Sequence, residues 1–152
     1  NEKSPAEIIE ILSEVGADMG HTVMGHIERT IFEREDLERL AESGCYIEWD
    51  LFGEERSYYD GPGTAPDVGQ MIDMPNDAVR MDQITWLVSQ GYGDRILMGH
   101  DIGFKHRLVK YGGHGLQYIL AQIVPRMRQR GFTEGDIQKI LVDNPRDALT
   151  FT

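Results

Sequence analysis

Three short apolar runs constrain this chain most, because each ends on a residue able to bind metal or move protons. Thr22-Val23-Met24-Gly25-His26, Cys45-Tyr46-Ile47-Glu48-Trp49-Asp50 and Arg95-Ile96-Leu97-Met98-Gly99-His100-Asp101 read as strands. A loop and then a helical pattern follow each one, giving the order α-β-α-β-α-β-α-α. Strands joined by crossover helices run parallel, and both faces of such a sheet must be covered. Three strands cannot close a barrel, which takes eight strands and about 250 residues. Left open, they would expose two parallel edges. Residues 1–152 are therefore expected to be a single α/β segment, the C-terminal portion of a TIM (β/α)8 barrel. It would hold about three βα units, strands 6 to 8 with their helices, and its first partner would be the N-terminal remainder of the same barrel.

Helix signals support the order. Ser4, Pro5 and Glu7 read as an N-cap, a first helical position and a capping box, ahead of an apolar stripe at Ile8, Ile9, Leu12 and Val15. Gly16 and Gly44 stop the first two helices, and the second, Glu33 to Ser43, turns Leu37 and Leu40 inward. Residues 51–74 show no period, and loops of that length are functional or disordered. Phe52, Tyr58 and Tyr59 there form either an apolar lid or loose packing. Helices follow at about Pro75 to Gln90, with Val79, Ile84, Leu87 and Val88 as apolar positions, and at Leu116 to Arg130, kinked by Pro125. Thr133 to Asp136 cap a helix through Val142, and Asn144-Pro145 opens a last short turn.

Net charge excludes one class of partner. At −11 the chain repels phosphate backbones, so nucleic acid is not expected to bind. Charges interrupt every apolar run before it reaches membrane-spanning length, and Asn1 to Pro5 show no signal core. Cys45 is the sole cysteine, a buried thiol in expectation, which excludes an intrachain disulfide and fits a reducing, cytoplasmic setting.

In a βα-barrel, catalytic side chains project from the C-terminal ends of the strands. His26, Asp50 and Asp101 stand at three such ends, and one imidazole with two carboxylates suits a divalent metal with open positions. Hydrolysis is the chemistry that set supports. Strand alternation places Asp101, Gly99 and Leu97 on the inner face and His100 on the outer one. It also turns Asp50, Glu48 and Tyr46 inward, where Glu48 requires a partner that the chain does not visibly supply. Asp50 is expected to contact substrate or support a ligand rather than bind metal itself. The glycine-rich run from Lys105 to Gly115 is basic in an acidic chain and opens onto a helix. Arg107, Lys110 and Tyr111 there either receive an anionic group of the substrate or form a solvated turn.

A resemblance sharpens these expectations. Gly25-His26-Ile27-Glu28-Arg29-Thr30, the run Gly44 to Gly53, Arg95 to Asp101, Lys110-Tyr111-Gly112-Gly113-His114-Gly115 and Ile140 to Pro145 resemble the C-terminal part of phosphotriesterase-related proteins. These form the phosphotriesterase-like family of the amidohydrolase superfamily, and the likeness runs through essentially the whole chain. It implies a barrel with two metal ions, commonly zinc. Their ligands are an HxH pair on the first strand, a bridging carbamylated Lys or a Glu on the fourth, and a His on each of the fifth and sixth. An Asp on the eighth completes the set. By that match His26 is the sixth-strand ligand, and Asp101 is the eighth-strand ligand and the catalytic proton acceptor. Asp50, Phe52, Arg107, Lys110 and Tyr111 fall where substrate would bind. The implied reaction uses a metal-bound hydroxide to cleave an ester, lactone, amide or organophosphate bond of a small-molecule substrate, in a protein that can form a homodimer. The alternative is a barrel of the resiniferatoxin-binding type that holds a small molecule without turnover. Family members often carry an Asp three residues after the sixth-strand His, and a His or Arg after the seventh-strand Asp. Arg29 and Leu51 stand there instead, which disfavours phosphotriester substrates.

Overall fold

The computed structural model describes residues 3–54, 58–59 and 72–150. Its centre is a parallel sheet of β1 (Val23–Met24), β2 (Tyr46–Trp49) and, after a separate pair, β5 (Ile96–Met98), in the order β1-β2-β5. Met24 pairs with Ile47, and Ile47, Glu48 and Trp49 pair with Ile96, Leu97 and Met98. β1 is shorter than expected, because the chain turns into a left-handed conformation at His26. β3 (Tyr58–Tyr59) and β4 (Ile72–Asp73) form a small antiparallel ladder within the aperiodic stretch. The side chains of Tyr58 and Tyr59, on which a lid would depend, lie outside the described residues.

Helices cover the outer face. α2 (Arg34–Glu42) and α3 (Asp77–Ser89) pack Leu37, Leu40, Met81, Ile84 and Leu87 against Ile47, Trp49 and Ile96, all buried. Each such side chain contributes about 1.5–3 kcal/mol by leaving water. Asn76 caps α3, accepting from the Val79 amide at 3.1 Å, and Val79 itself stays exposed. Trp49 Nε1 donates to Gln83 at 2.8 Å and Gln83 donates to the Ile31 carbonyl at 3.2 Å, so the buried indole is satisfied. Cys45 is buried as expected, and burial raises its thiol pKa.

α1 (Ser4–Glu14) departs from expectation. Lys3 takes the cap position without a side-chain bond, because Ser4 is already helical. Of the stripe, Ile9 packs against the core while Ile8 and Val15 remain exposed, since β1 is an edge strand and no described element lies beyond it.

The C-terminal helices depart in a related way. A π-helical turn, Ile119–Ile123, leads into α4 (Val124–Gln129), with Leu116 still outside the helix. α5 (Glu134–Gln138) runs through a second π-turn, Lys139–Asp143, into α6 (Asn144–Leu149), so the expected break at Asn144 is absent. Each π-turn ends two residues before a proline, Pro125 or Pro145. There the missing N–H and the ring's clash with the preceding turn favour a wider ladder. Asn144 ties α6 to the sheet, donating to the Ile96 and Gly93 carbonyls at 2.8 and 2.9 Å. No described helix is long and apolar enough to cross a membrane.

Candidate metal and substrate site

Among the described residues, two non-glycine residues have positive φ: His26 at 56° and Asp101 at 43°. They are the two that the sequence proposes as metal ligands. Left-handed backbone is sterically costly for a side-chain-bearing residue, and such strain gathers at functional sites. Strict alternation would carry His26 to the outer face shared by Met24 and Ile47. The left-handed residue instead turns the ring toward the inner-face carboxylates.

Asp50 holds that ring. His26 Nδ1 donates to Asp50 Oδ1 at 2.6 Å, and the His26 amide donates to Asp50 Oδ2 at 3.1 Å. A carboxylate only accepts, so the neutral imidazole carries its proton on Nδ1 and leaves Nε2 as its acceptor. The Thr30 hydroxyl fixes the His26 carbonyl at 2.8 Å. His26 is 38% exposed and Asp50 15%, so the pair sits at the mouth of the inner face rather than in the core.

The rest of that face is acidic. Glu48 is half-buried, and burial chiefly, then Asp50 and Asp101, push its carboxyl above the ordinary range, with His26 opposing. Among the described residues nothing hydrogen-bonds the carboxylates of Glu48 or Asp101, so the partner that Glu48 requires is not found there. Gly25 and Gly99 on the flanking strands make room: a Cβ at Gly25 would lie 3.0 Å from Asp50 Oδ2, and one at Gly99 3.2 Å from Glu48 Oε1. An imidazole beside the carboxylates of Glu48 and Asp101, which accept no hydrogen bond among the described residues, fits a divalent cation. The described residues contain no group of three or more ligating side chains, so a complete shell needs donors from beyond them. His100 faces outward as alternation requires; burial and then Arg107 lower its pKa, and its Nε2 accepts from the Ile119 amide at 3.2 Å.

Two expected substrate contacts are placed differently. Phe52 lies three residues past the end of β2 and is fully buried in the hydrophobic core, so its ring cannot reach a ligand. Arg107 is 9% exposed instead of solvent-facing, and its guanidinium donates to Glu54 Oε2 at 2.9 Å and to the Asp101 and Phe52 carbonyls, each at 3.0 Å. Lys110 and Tyr111 are exposed, with the ammonium groups of Lys105 and Lys110 5.8 and 5.7 Å from the Tyr111 ring centre.

A buried ionic network behind the site escaped the sequence reading. Glu28 Oε1 accepts from the Leu51 amide at 2.9 Å and lies 3.4 Å from Arg80 Nε; both side chains are fully buried. Burial, then the charge of Asp50, raise the Glu28 pKa to about 7. Arg80 donates to Asp77 at 2.6 Å and to the Glu54 carbonyl at 3.1 Å. Asp77 also accepts from the Gly53 amide at 3.1 Å and the Tyr118 hydroxyl at 2.7 Å. With Arg107 on Phe52, every residue from Leu51 to Glu54 is gripped through its backbone by a buried charge.

A family model described as the phosphotriesterase family matches residues 1–149. The chain belongs to that family. An N-acetyltaurine hydrolase of Mus musculus is 52% identical over 151 residues, which cover 99% of this chain and 41% of that protein. The chain thus spans about two-fifths of the length of such relatives. A resiniferatoxin-binding protein from Rhodobacter sphaeroides superimposes with a TM-score of 0.83 at 30% identity, covering 95% of this chain and 38% of that one. A lactonase from Listeria monocytogenes gives a TM-score of 0.74 at 28% identity, covering 97% and 41%. The three-stranded sheet is accordingly the C-terminal portion of a phosphotriesterase-like TIM barrel, and the open edges and exposed face of α1 are what an arc of a barrel presents.

Proposed function

We propose that this segment completes the active site of a metal-dependent hydrolase that cleaves a small N-acyl compound, with N-acetyltaurine or a close analogue as the leading candidate. The observation that carries the reading is the pair of left-handed strand ends, His26 and Asp101, flanking the Asp50 carboxylate that fixes the imidazole. In the full-length barrel His26 offers Nε2 and Asp101 its carboxylate to a two-metal centre, with zinc as the expected metal. When bound, the metals polarise the scissile carbonyl and lower the pKa of a water, worth several kcal/mol to order of magnitude. Asp101 takes the proton of the attacking water on a carboxylate oxygen and passes it to the departing amine. Asp50 keeps the His26 proton on Nδ1 throughout. Lys105 and Lys110, beside Tyr111, supply positive charge for a sulfonate or carboxylate on the substrate. A lactone remains within reach of the same chemistry, whereas Arg29 and the buried Leu51 leave no proton relay of the phosphotriester-cleaving kind.

The full-length protein should carry about two equivalents of zinc and release acetate from N-acetyltaurine faster than it hydrolyses a phosphotriester. A metal-free protein that binds small hydrophobic ligands without turnover would favour the alternative suggested by the Rhodobacter likeness. Neither metal nor hydrolysis of any N-acyl compound, ester or lactone would refute the proposal.

A further inference from the structure

The Asp101 carbonyl is held from two sides, by the Gly103 amide at 2.8 Å and by Arg107 Nη1 at 3.0 Å. The same guanidinium reaches the turn leaving β2, at the Phe52 carbonyl and at Glu54 Oε2. The side chains of Arg107 and Glu54 are each 10% exposed, so the pair is nearly dry. The backbone of Arg107 is fixed as well: its carbonyl accepts from the Gly115 amide at 2.9 Å, and a Cβ on Gly113 would lie 2.2 Å from it. One immobilised cation therefore spans the strand end that carries Asp101 and the turn that begins just after Asp50.

We infer that Arg107, with Glu54 as its counter-ion, is a positioning residue that holds Asp101 in its left-handed conformation and sets its carboxylate against the His26–Asp50 pair. The inference rests on the metal-centre reading above. It removes Arg107 from substrate binding, because the side chain is nearly dry and both terminal nitrogens are engaged by Glu54, Asp101 and Phe52. A lysine cannot replace it, since a single ammonium lacks the planar fork that meets acceptors on two different strand ends.

The test uses the full-length protein with Arg107→Ala, Arg107→Lys and wild type. It measures zinc affinity by chelator competition, KM and kcat for N-acetyltaurine, and thermal midpoints without metal. Positioning predicts zinc bound at least about tenfold more weakly in Arg107→Ala, as for other supports of metal ligands. KM in the zinc-loaded variant should stay within twofold, with little recovery in Arg107→Lys. If Arg107→Ala fails to fold, Arg107→Lys, which refills the space, decides on the same zinc measurement. A lowered midpoint with unchanged zinc affinity marks a merely structural ion pair and overturns the inference. A KM rise confined to anionic substrates, with zinc affinity unchanged, marks a substrate contact and does the same. A wild-type protein that takes up no zinc overturns the metal-centre reading, and the inference with it.

Discussion

Asp50→Asn tests how the site is built, because it changes one atom and leaves the shape intact. Asp50 presents two acceptors to two donors, the His26 amide and His26 Nδ1–H. Asparagine has one acceptor and one NH2 group. If its oxygen stays on the amide, the NH2 faces Nδ1, which must then accept, and the proton moves to Nε2 where a metal would bind. If its oxygen takes Nδ1–H, the NH2 opposes the backbone N–H, and an unsatisfied buried donor costs about 1–3 kcal/mol. At about 1.4 kcal/mol per tenfold, either arrangement weakens metal binding by roughly 10- to 100-fold, the range for loss of a histidine's supporting carboxylate. The metal-free protein should behave differently. Asp50 helps raise the pKa of Glu48, so removing its charge relieves repulsion on the inner face and offsets the lost bond. Stability without metal is then expected to stay within about 1 kcal/mol of wild type. Chelator competition gives the affinity, and denaturant unfolding of the metal-free full-length protein gives the stability. Zinc affinity within twofold of wild type would refute the argument, as would a loss of stability in the metal-free protein that matches the loss in binding.

Two further perturbations have definite signs. Gly113→Ala places a Cβ 2.2 Å from the Arg107 carbonyl, so the loop backbone must shift, costing about 1–3 kcal/mol; the prediction is a lowered midpoint and weaker zinc binding together. Thr133→Ala removes the capping box in which the Asp136 amide donates to the Thr133 hydroxyl at 3.1 Å and the Thr133 amide donates to Asp136 at 2.8 Å, costing about 1 kcal/mol. Bonds from Thr133 lower the Asp136 pKa, so the part of this stabilisation carried by the carboxylate is complete above about pH 4 and is lost as acid protonates it, while the amide-to-hydroxyl bond persists. The gap between the wild-type and variant stability curves should therefore narrow at low pH, and a constant gap down to pH 2 would contradict the assignment.

What the sequence disclosed follows from the kinds of signal it carries. Strand period and helix caps are local, so the three parallel strands, their inner and outer faces, and the outward turn of His100 could be read directly. His26 and Asp101 stood out because polar residues rarely close apolar runs without a reason. Their left-handed backbone could not be read, since neither is glycine, although aspartate and histidine tolerate that region better than most residues. Arg107 departs from expectation for a physical reason: a basic residue in a glycine-rich loop reads as a substrate contact or a solvated charge until its acceptors are known. Two of those, on Phe52 and Glu54, lie 55 and 53 positions away in sequence. Arg80 did leave a trace. Asp77 and Arg80, opposite charges three residues apart, share a helix face with Ile84 and Leu87, and a pair on an apolar face has to be buried as a pair. Glu28 left none, because a short turn has no face to read. The residues proposed to act on a ligand are thus visible as breaks in local pattern. Those that hold them in place were visible only where a helical period exposed the conflict, so buried ion pairs on helices flanking strand ends are where a sequence of this kind should be searched next.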